Sequence, residues 1–518
     1  MKVSFINFSA FAFGTRAISS YLKSKGHKTQ MLFFPNVSDR QINEKLLENI
    51  YEIVKDSDVI GISIMCSDYF ESIKITKYLK KRLNVPIIWG GPQPIADPEE
   101  CIKHCDGVCI GEGEEAFLEL VGKIKGKKDY SKVSNFWFKN SKNHPMELVT
   151  DLDKYPFPDY DFENHFIYDE KKRVFKKIDK NDLIKHVFLN NFVQYGNYKM
   201  YHFVSTRGCP HNCTYCGNSI LRRKYKGTYV RKRSNVNVIA ELKWIKQKFP
   251  FINYIAFEDD TFTIRSDEEI IEFSRMYKRE IDLPFHLSST ALTLNETKLK
   301  TLLDCGLTSV RIGIQSGSER ILKEVYKRNI PNTATIRCAK LLHKYRKRFK
   351  HLNIYDFIFD NPFETTEDYI ETIKLISKLP KPYVALYHSL SFYPGTELLD
   401  MARDAGYIHD EKGQVYNKST RAGEFNYIRF FATSYPIIPI RFPKWFLRYL
   451  TREKRVKNWN RKKFNQLFRP LTIFVLFSSY SIQKLKGVIR NGITIDEIKT
   501  ISQRVKEHFF TKSVARKL

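Results

Sequence analysis

Ser205-Thr-Arg-Gly-Cys-Pro-His-Asn-Cys-Thr-Tyr-Cys-Gly-Asn218 places three thiols, Cys209, Cys213 and Cys216, within eight residues in the spacing C-x-x-x-C-x-x-C. Gly208, Pro210 and Gly217 bend the backbone around them. Thiolates packed this closely suit a soft metal centre better than a hydrophobic core. No fourth cysteine lies nearby. A four-iron cluster held by three thiolates leaves one iron open to an exogenous ligand, whereas a structural zinc site closes its coordination with a fourth protein group. His211 offers such a group, so a Cys3His zinc site is the rival reading and three unrelated buried cysteines the plainest one.

Around the loop, from Tyr198 to about Ala405, strand-like runs recur at Met200–Ser205, Tyr254–Glu258, Pro284–Ser288, Ser309–Ile314, Asn353–Phe359 and Val384–Leu390. Helical patterns such as Val236–Lys248 and Asp267–Lys278 separate them. Six strand-helix units fit a partial (β/α)6 barrel of the TIM type, which places its chemistry at the carboxyl ends of strands. Candidate polar groups fall there: Glu258-Asp259-Asp260 after the second strand and Gly313-Ile-Gln315-Ser-Gly317-Ser-Glu319 after the fourth. Phe359-Asp360-Asn361-Pro362-Phe-Glu364 and Tyr393-Pro394-Gly395-Thr396 follow the fifth and sixth, where proline and glycine turn the chain.

Residues 1–125 show a second alternation, with strands expected at Val3–Phe8, Thr29–Phe34, Val59–Met65, Pro86–Gly90 and Gly107–Ile110. This predicts an α/β fold with a doubly wound, flavodoxin-like parallel sheet. Ligands of such sheets bind beyond the carboxyl ends of the strands, here the loops Ser9–Gly14, Cys66–Tyr69, Gly90–Pro94 and Gly111–Glu114. Gly90-Gly91-Pro92-Gln-Pro94 and Gly111-Glu112-Gly113-Glu114-Glu115 each let the backbone approach a bulky ligand closely.

The cysteine loop resembles the signature of the radical S-adenosylmethionine (SAM) superfamily, C-x-x-x-C-x-aromatic-C, with Tyr215 at the aromatic position. The resemblance implies a [4Fe-4S] cluster on Cys209, Cys213 and Cys216. Its free iron would chelate the amino and carboxylate groups of SAM, and an electron from it would release a 5'-deoxyadenosyl radical. Together with that loop, the two glycine turns resemble the N-terminal cobalamin-binding domain of a large radical SAM class, over most of residues 1–125. Gly90, Gly91, Gly111, Glu112 and Gly113 are thereby implied cofactor-binding positions. Many cobalamin folds carry D-x-H-x-x-G, whose histidine ligates cobalt, but Asn7–Gly14 has no histidine, as is usual in this class; a purely structural flavodoxin-like domain that binds no corrin is the alternative. By the same resemblance Asp260 and then Glu258 match the acid that accepts the SAM ammonium. Gln315 and Glu319 match the G-I-E/Q-S-G-S motif that contacts ribose or methionine atoms. Thr290 stands where the family often has arginine, and Leu152–Asp159 matches an L-x-x-x-P-x-P-D element ahead of the cysteine loop.

The implied activity is cobalamin-dependent methyl transfer to an unactivated centre, or a radical rearrangement or cyclisation, on a small-molecule substrate, with a reductant such as flavodoxin or ferredoxin. A methylthiotransferase acting on RNA is the alternative within the superfamily. It expects three cluster cysteines in its N-terminal domain and a small C-terminal β-barrel, and neither is found. An iron-sulfur or zinc protein that binds nucleic acid without catalysis is the alternative outside it.

At 518 residues the chain should divide into domains: 1–125, a connector 126–196, the barrel 197–405, and a small, mainly helical region 406–518. The nine cysteines do not make a disulfide framework in a chain this long and predict a reducing cytoplasm. Cys66, Cys101, Cys105, Cys109, Cys305 and Cys338 read as small buried apolar residues. No stretch is long enough to span a bilayer; the most apolar late segment, Leu471–Tyr480, covers ten residues. The net charge of +30 is uneven, with 20 Lys/Arg against 4 Asp/Glu from Arg441 to Leu518. That basic stretch, with Phe430, Phe431, Tyr435, Trp445, Phe446, Tyr449 and Trp459 near its start, allows contact with nucleic acid or a membrane surface. It also fits a helical cap over the barrel mouth, the reading favoured here, with residues 499–518 as a frayed tail.

Overall fold

Runs of β-branched and aromatic residues too short for helices form the strands of the N-terminal half: β1 (Lys2–Asn7), β2 (Lys28–Phe33), β3 (Val59–Ser63), β4 (Ile87–Gly90) and β5 (Gly107–Cys109). The computed structural model describes residues 1–35, 42–189, 198–225, 227–416, 427–436 and 443–459. Among them, one compact unit gathers those of 1–189, 198–284 and 391–416, and a second those of 285–390, 427–436 and 443–459.

In the first unit both faces of the sheet are buried, which explains why its strands read as near-continuous apolar runs. Val3, Phe5, Met31, Phe33 and Ile88 share a core with Leu22 of the helix Phe13–Ser24 and with Phe117, Leu120 and Val121 of the helix Glu114–Lys125. Ile6, Leu32, Ile60, Ile62 and Trp89 pack on the other face against Leu46 and Ile50 of Glu44–Val54 and Ile75 and Leu79 of Tyr69–Lys80. The segment expected as a connector adds β6 (Phe136–Phe138), β7 (Ser141–Lys142), β8 (Phe166–Asp169) and β9 (Val174–Lys177). The sheet therefore has nine strands in the order β7-β6-β5-β4-β3-β1-β2-β8-β9. Aromatic burial recruits these edges: Phe136 meets Phe117, and Tyr168 and Phe175 meet Phe34.

Strand order reverses at β1, which pairs in parallel with β2 on one side and β3 on the other. The carboxyl ends of β1 and β3 thus flank the crevice where ligands of doubly wound sheets bind.

The same unit carries β10 (Met200–Phe203), a two-residue ladder of β11 (Thr206–Arg207) with β12 (Arg231–Lys232), and β13 (Tyr254–Phe257), which pairs in parallel with β10. Ser234 caps the helix Asn235–Lys248, and a Ser266/Glu269 capping box opens Asp267–Glu280.

In the second unit β14 (Phe285–Ser289), β15 (Leu307–Gln315), β16 (Ile354–Phe359) and β17 (Val384–Ser389) pair in parallel in chain order. The helices Glu296–Asp304, Asn332–Lys344 and Thr366–Lys378 connect them. Beyond lie the helices Tyr427–Ser434, Lys444–Leu450 and Glu453–Trp459. Arg429 donates to Ser389 Oγ (3.1 Å) and pairs with Asp360, so the first of these helices meets the carboxyl ends of β16 and β17. Leu471–Tyr480, the tail 499–518 and the basic stretch from residue 460 onward lie outside the described residues. Among the described residues no helix is long and apolar enough to cross a membrane.

Candidate functional site

The cysteine loop leaves the end of β10 under the control of a buried carboxylate. Asp259 accepts the backbone N–H groups of Ser205 (2.8 Å) and Thr206 (2.5 Å) and both their hydroxyls (2.9 and 2.7 Å). Arg265, buried beside it, donates to Ser205 Oγ (2.9 Å). Next, Gly208 takes φ +86°, where a Cβ would stand 2.6 Å from the Tyr229 carbonyl oxygen. Cys213 is buried, while Cys209 and Cys216 are half-buried. The Cys216 amide donates to Cys213 O (3.1 Å), closing a turn around the sulfurs. The helix Gly217–Lys224 starts immediately afterwards and turns its positive N-terminal end toward Cys216. Arg222 donates to the carbonyls of Cys209 (3.2 Å) and Pro210 (3.1 Å).

Burial pushes the Cys216 thiol up to about 11, and the nearby Asp260, Cys213 and Cys209 push in the same direction. Bound to a cationic iron, that thiolate would have its charge balanced. Among the described residues no three His, Cys, Asp or Glu side chains converge on a single-ion site. Thiolates on a four-iron cluster bind three different irons and need no such convergence. Cys209 and Cys213 lie near enough to Cys216 to act on its titration, and this three-sulfur donor set fits a cluster.

The adjacent acids serve three different ends. Glu258 Oε1 lies 2.7 Å from Nδ1 of buried His202, whose Nε2 is 3.1 Å from Leu189 O. Asp259 organises the loop. Asp260 opens onto a cavity, yet the protein mass around it raises its pKa by desolvation, opposed by a hydrogen bond with Asn218. Tyr229 Oη in turn donates to Asn218 Oδ1 (2.9 Å).

That cavity, about 410 Å³, lies within the first unit. Gly90, Gly91, Gly111, Glu112, Gly113 and Asp260 all line it, and Phe5, Ile18, Ile88 and Phe117 give it apolar walls. Tyr215, Glu258 and the three cysteines are not among its lining residues. Its mix of apolar walls and few polar groups is typical of cofactor pockets. Gly91 takes φ +95°, and a Cβ there would stand 2.9 Å from Ile64 O. The loop after β1 is held by Arg16, fully buried, which donates to Ala10 O (2.9 Å), Phe11 O (2.9 Å) and Asp159 O (2.7 Å). Asp159 belongs to the Leu152–Asp159 element singled out in the sequence, so that element braces the cavity's first loop.

Glu112 lines this cavity and is also held by two arginines. Its carboxylate receives two hydrogen bonds from Arg231 (3.0 and 2.5 Å) and lies 3.1 Å from Arg207, which also pairs with Glu114. In the second unit, Gln315 ends β15 at φ +75°, an uncommon conformation for a non-glycine residue. Gly313 leaves room for its amide, since a Cβ there would stand 2.6 Å from Gln315 Nε2. Glu319 accepts from the Asn332 amide (2.8 Å) and so caps the next helix. Thr290 Oγ1 pairs with Thr293 Oγ1 (3.1 Å). Sequence reasoning missed Asp259 as the loop's organiser, and Asn218, Tyr225, Arg207 and Arg231 altogether. No spacing rule links these residues; Asp259 stood inside the quoted acidic triplet, and Arg207 and Asn218 inside the quoted cysteine stretch, with no role assigned to them.

The remaining cysteines are buried thiols. Cys66 donates to Val415 O (3.0 Å) and Cys105 to Gly107 O (3.2 Å), while burial pushes Cys105 and Cys109 up to about 12.

Residues 203–376 match the profile of the radical SAM superfamily, and residues 6–121 that of the B12 binding domain. The chain is 28% identical over 377 residues to an uncharacterised methyltransferase of Pyrococcus horikoshii, covering 71% of this chain and 74% of that protein. It is 23% identical over 370 residues to bacteriochlorophyllide d C-8(2)-methyltransferase of Chlorobaculum tepidum, covering 70% and 72%. Its fold is similar to that of the radical SAM methyltransferase TsrM from Kitasatospora setae, solved with cobalamin and a [4Fe-4S] cluster. There the TM-score is 0.59 at 16% identity, over 79% of this chain and 75% of that one.

Proposed function

We propose, for a chain that belongs to the radical SAM proteins carrying a B12-binding domain, that it transfers a methyl group to an unactivated centre of a small molecule. It is a cobalamin-dependent radical SAM enzyme, of the group that performs methyl transfer or cyclisation, and it takes a reductant as partner. One observation carries the finer reading. The glycine turns after β4 and β5 and Asp260, beside the cysteine loop, line one cavity, so a cofactor arm seated on the sheet reaches the cluster's neighbourhood. When bound, the cluster supplies the electron that cleaves SAM and cobalamin supplies a methyl carrier.

The chain's own groups would divide the remaining work. Cys209, Cys213 and Cys216 hold the cluster, and Asp259 sets the loop that presents them. Asp260, kept in place by Asn218, accepts the ammonium of SAM. The apolar walls around Phe5, Ile88 and Phe117 exclude water from the arm they enclose. Glu258, paired with His202, and Glu319, capping a helix, support this machinery. Flavodoxin or ferredoxin is the proposed electron donor, and a reducing compartment suits the nine free cysteines.

Anaerobic reconstitution with iron, sulfide and hydroxocobalamin tests the reading. The product should show cluster and corrin absorption and form 5'-deoxyadenosine from SAM under reduction, and Cys213→Ala should abolish that formation. A zinc-filled loop, or SAM cleavage that survives Cys213→Ala, would defeat it.

A further inference from the structure

The Gly111–Glu114 turn is gripped from the cysteine segment at three points. Tyr225, directly after the helix that follows Cys216, accepts the Glu112 amide on its hydroxyl (3.1 Å). Arg231 donates twice to the Glu112 carboxylate, and Arg207, two residues before Cys209, reaches both Glu112 (3.1 Å) and Glu114. From the sheet side Asn135, at φ +65°, donates to Glu112 O (2.7 Å). Gly111 has no room for a side chain, because a Cβ would collide with Tyr225 Oη and stand 2.7 Å from Asn135 Oδ1. Its lack of a Cβ therefore serves this protein contact.

Electrostatics explains why two acids are needed. Arg207 and Arg231 face each other directly across the β11–β12 ladder. Like charges opposite one another destabilise a strand pair. Glu112 lies between the two guanidiniums and Glu114 neutralises Arg207. For Glu112, burial pushes up and the two arginines pull further down, so the net shift is downward. Both carboxylates are thus committed to arginines.

We propose that Glu112 and Glu114 are positioning residues: they latch the turn after β5 to the strand that delivers Cys209, and so fix the corrin-bearing sheet against the cluster-bearing loop. The proposal rests on the reading that both cofactors bind, and its test separates the two. Full-length protein is loaded with cluster and cobalamin. The magnetic coupling between cob(II)alamin and the reduced cluster is then read by electron paramagnetic resonance in wild type, Glu112→Gln, Arg231→Gln and the double variant. Wild type lacking either cofactor would overturn the functional reading.

With both bound, the latch predicts that Glu112→Gln retains cobalamin within about twofold while the coupling broadens into a spread of separations. Arg231→Gln should do the same, and the double variant should be no worse than either single one, a non-additivity of about tenfold in the redistribution between latched and loose forms. Glu114→Gln, which leaves Glu112 with Arg231, should give a milder broadening and serves as the second variant where Glu112→Gln does not fold. A sharp, wild-type coupling in the variants overturns the latch. So does loss of cobalamin in Glu112→Gln but not in Arg231→Gln, which would make Glu112 a ligand.

Discussion

Removing Asp259 should cost more than removing either neighbouring acid. In Asp259→Ala the amides of Ser205 and Thr206 lose their acceptor in a site where Asp259 is only 2% exposed. Each buried N–H left unsatisfied costs about 1–3 kcal/mol. Arg265, also 2% exposed, loses the nearest negative charge as well. Stranding a buried charge adds to the penalty, so a total of roughly 3–6 kcal/mol is expected. Asp259→Asn keeps one oxygen where both amides now converge and loses mainly the charge assistance, about 1–2 kcal/mol. The assay is thermal unfolding of the apo chain together with iron and sulfide content after reconstitution. Asp259→Ala should melt clearly lower and bind little iron, with Asp259→Asn between it and wild type. Wild-type iron content and melting in the alanine variant would refute the claim that this carboxylate builds the loop. Equal damage from both variants would show that charge, not acceptor geometry, matters.

Gly208→Ala places a Cβ 2.6 Å from a carbonyl oxygen at φ +86°, so cluster content should fall severalfold while cobalamin retention persists, as read by iron analysis and corrin absorption. Asp260→Asn should raise the apo melting temperature at neutral pH, because burial lifts this acid's pKa and its contribution to stability is lost as pH rises through the folded value. The same change should weaken SAM binding by about tenfold or more in equilibrium dialysis of reconstituted protein. Burial, assisted by Asp368 and Asp360, raises Glu364 from 4.5 to about 8. Its stabilisation is full below 4.5 and drains away as pH rises to about 8, so wild type should lose stability over that window and Glu364→Gln should lose less, as read by denaturant midpoints across pH.

The sequence by itself determined what depends on local spacing. Three thiols within eight residues, six strand-helix alternations around them, and paired glycine turns after short apolar runs announce the cysteine loop, the parallel strands and the turns at the sheet's carboxyl edge. Such features are legible because a loop ligand set and a strand's two-residue period are short-range properties. The nine-stranded extent of the first sheet was less visible, since β6 to β9 are two to four residues long and owe their place to aromatic contacts with distant elements. Only the tertiary structure assigned the acids. Glu258, Asp259 and Asp260 are consecutive in the chain, yet one meets His202, one holds Ser205 and Thr206, and one opens to the cavity. Glu112, read from its glycine turn alone, gives no sign of Arg231, 119 residues away, which pairs with it. A carboxylate's role is set by whichever cation or amide the fold brings within hydrogen-bond reach, and such long-range meetings leave no periodic trace in the chain.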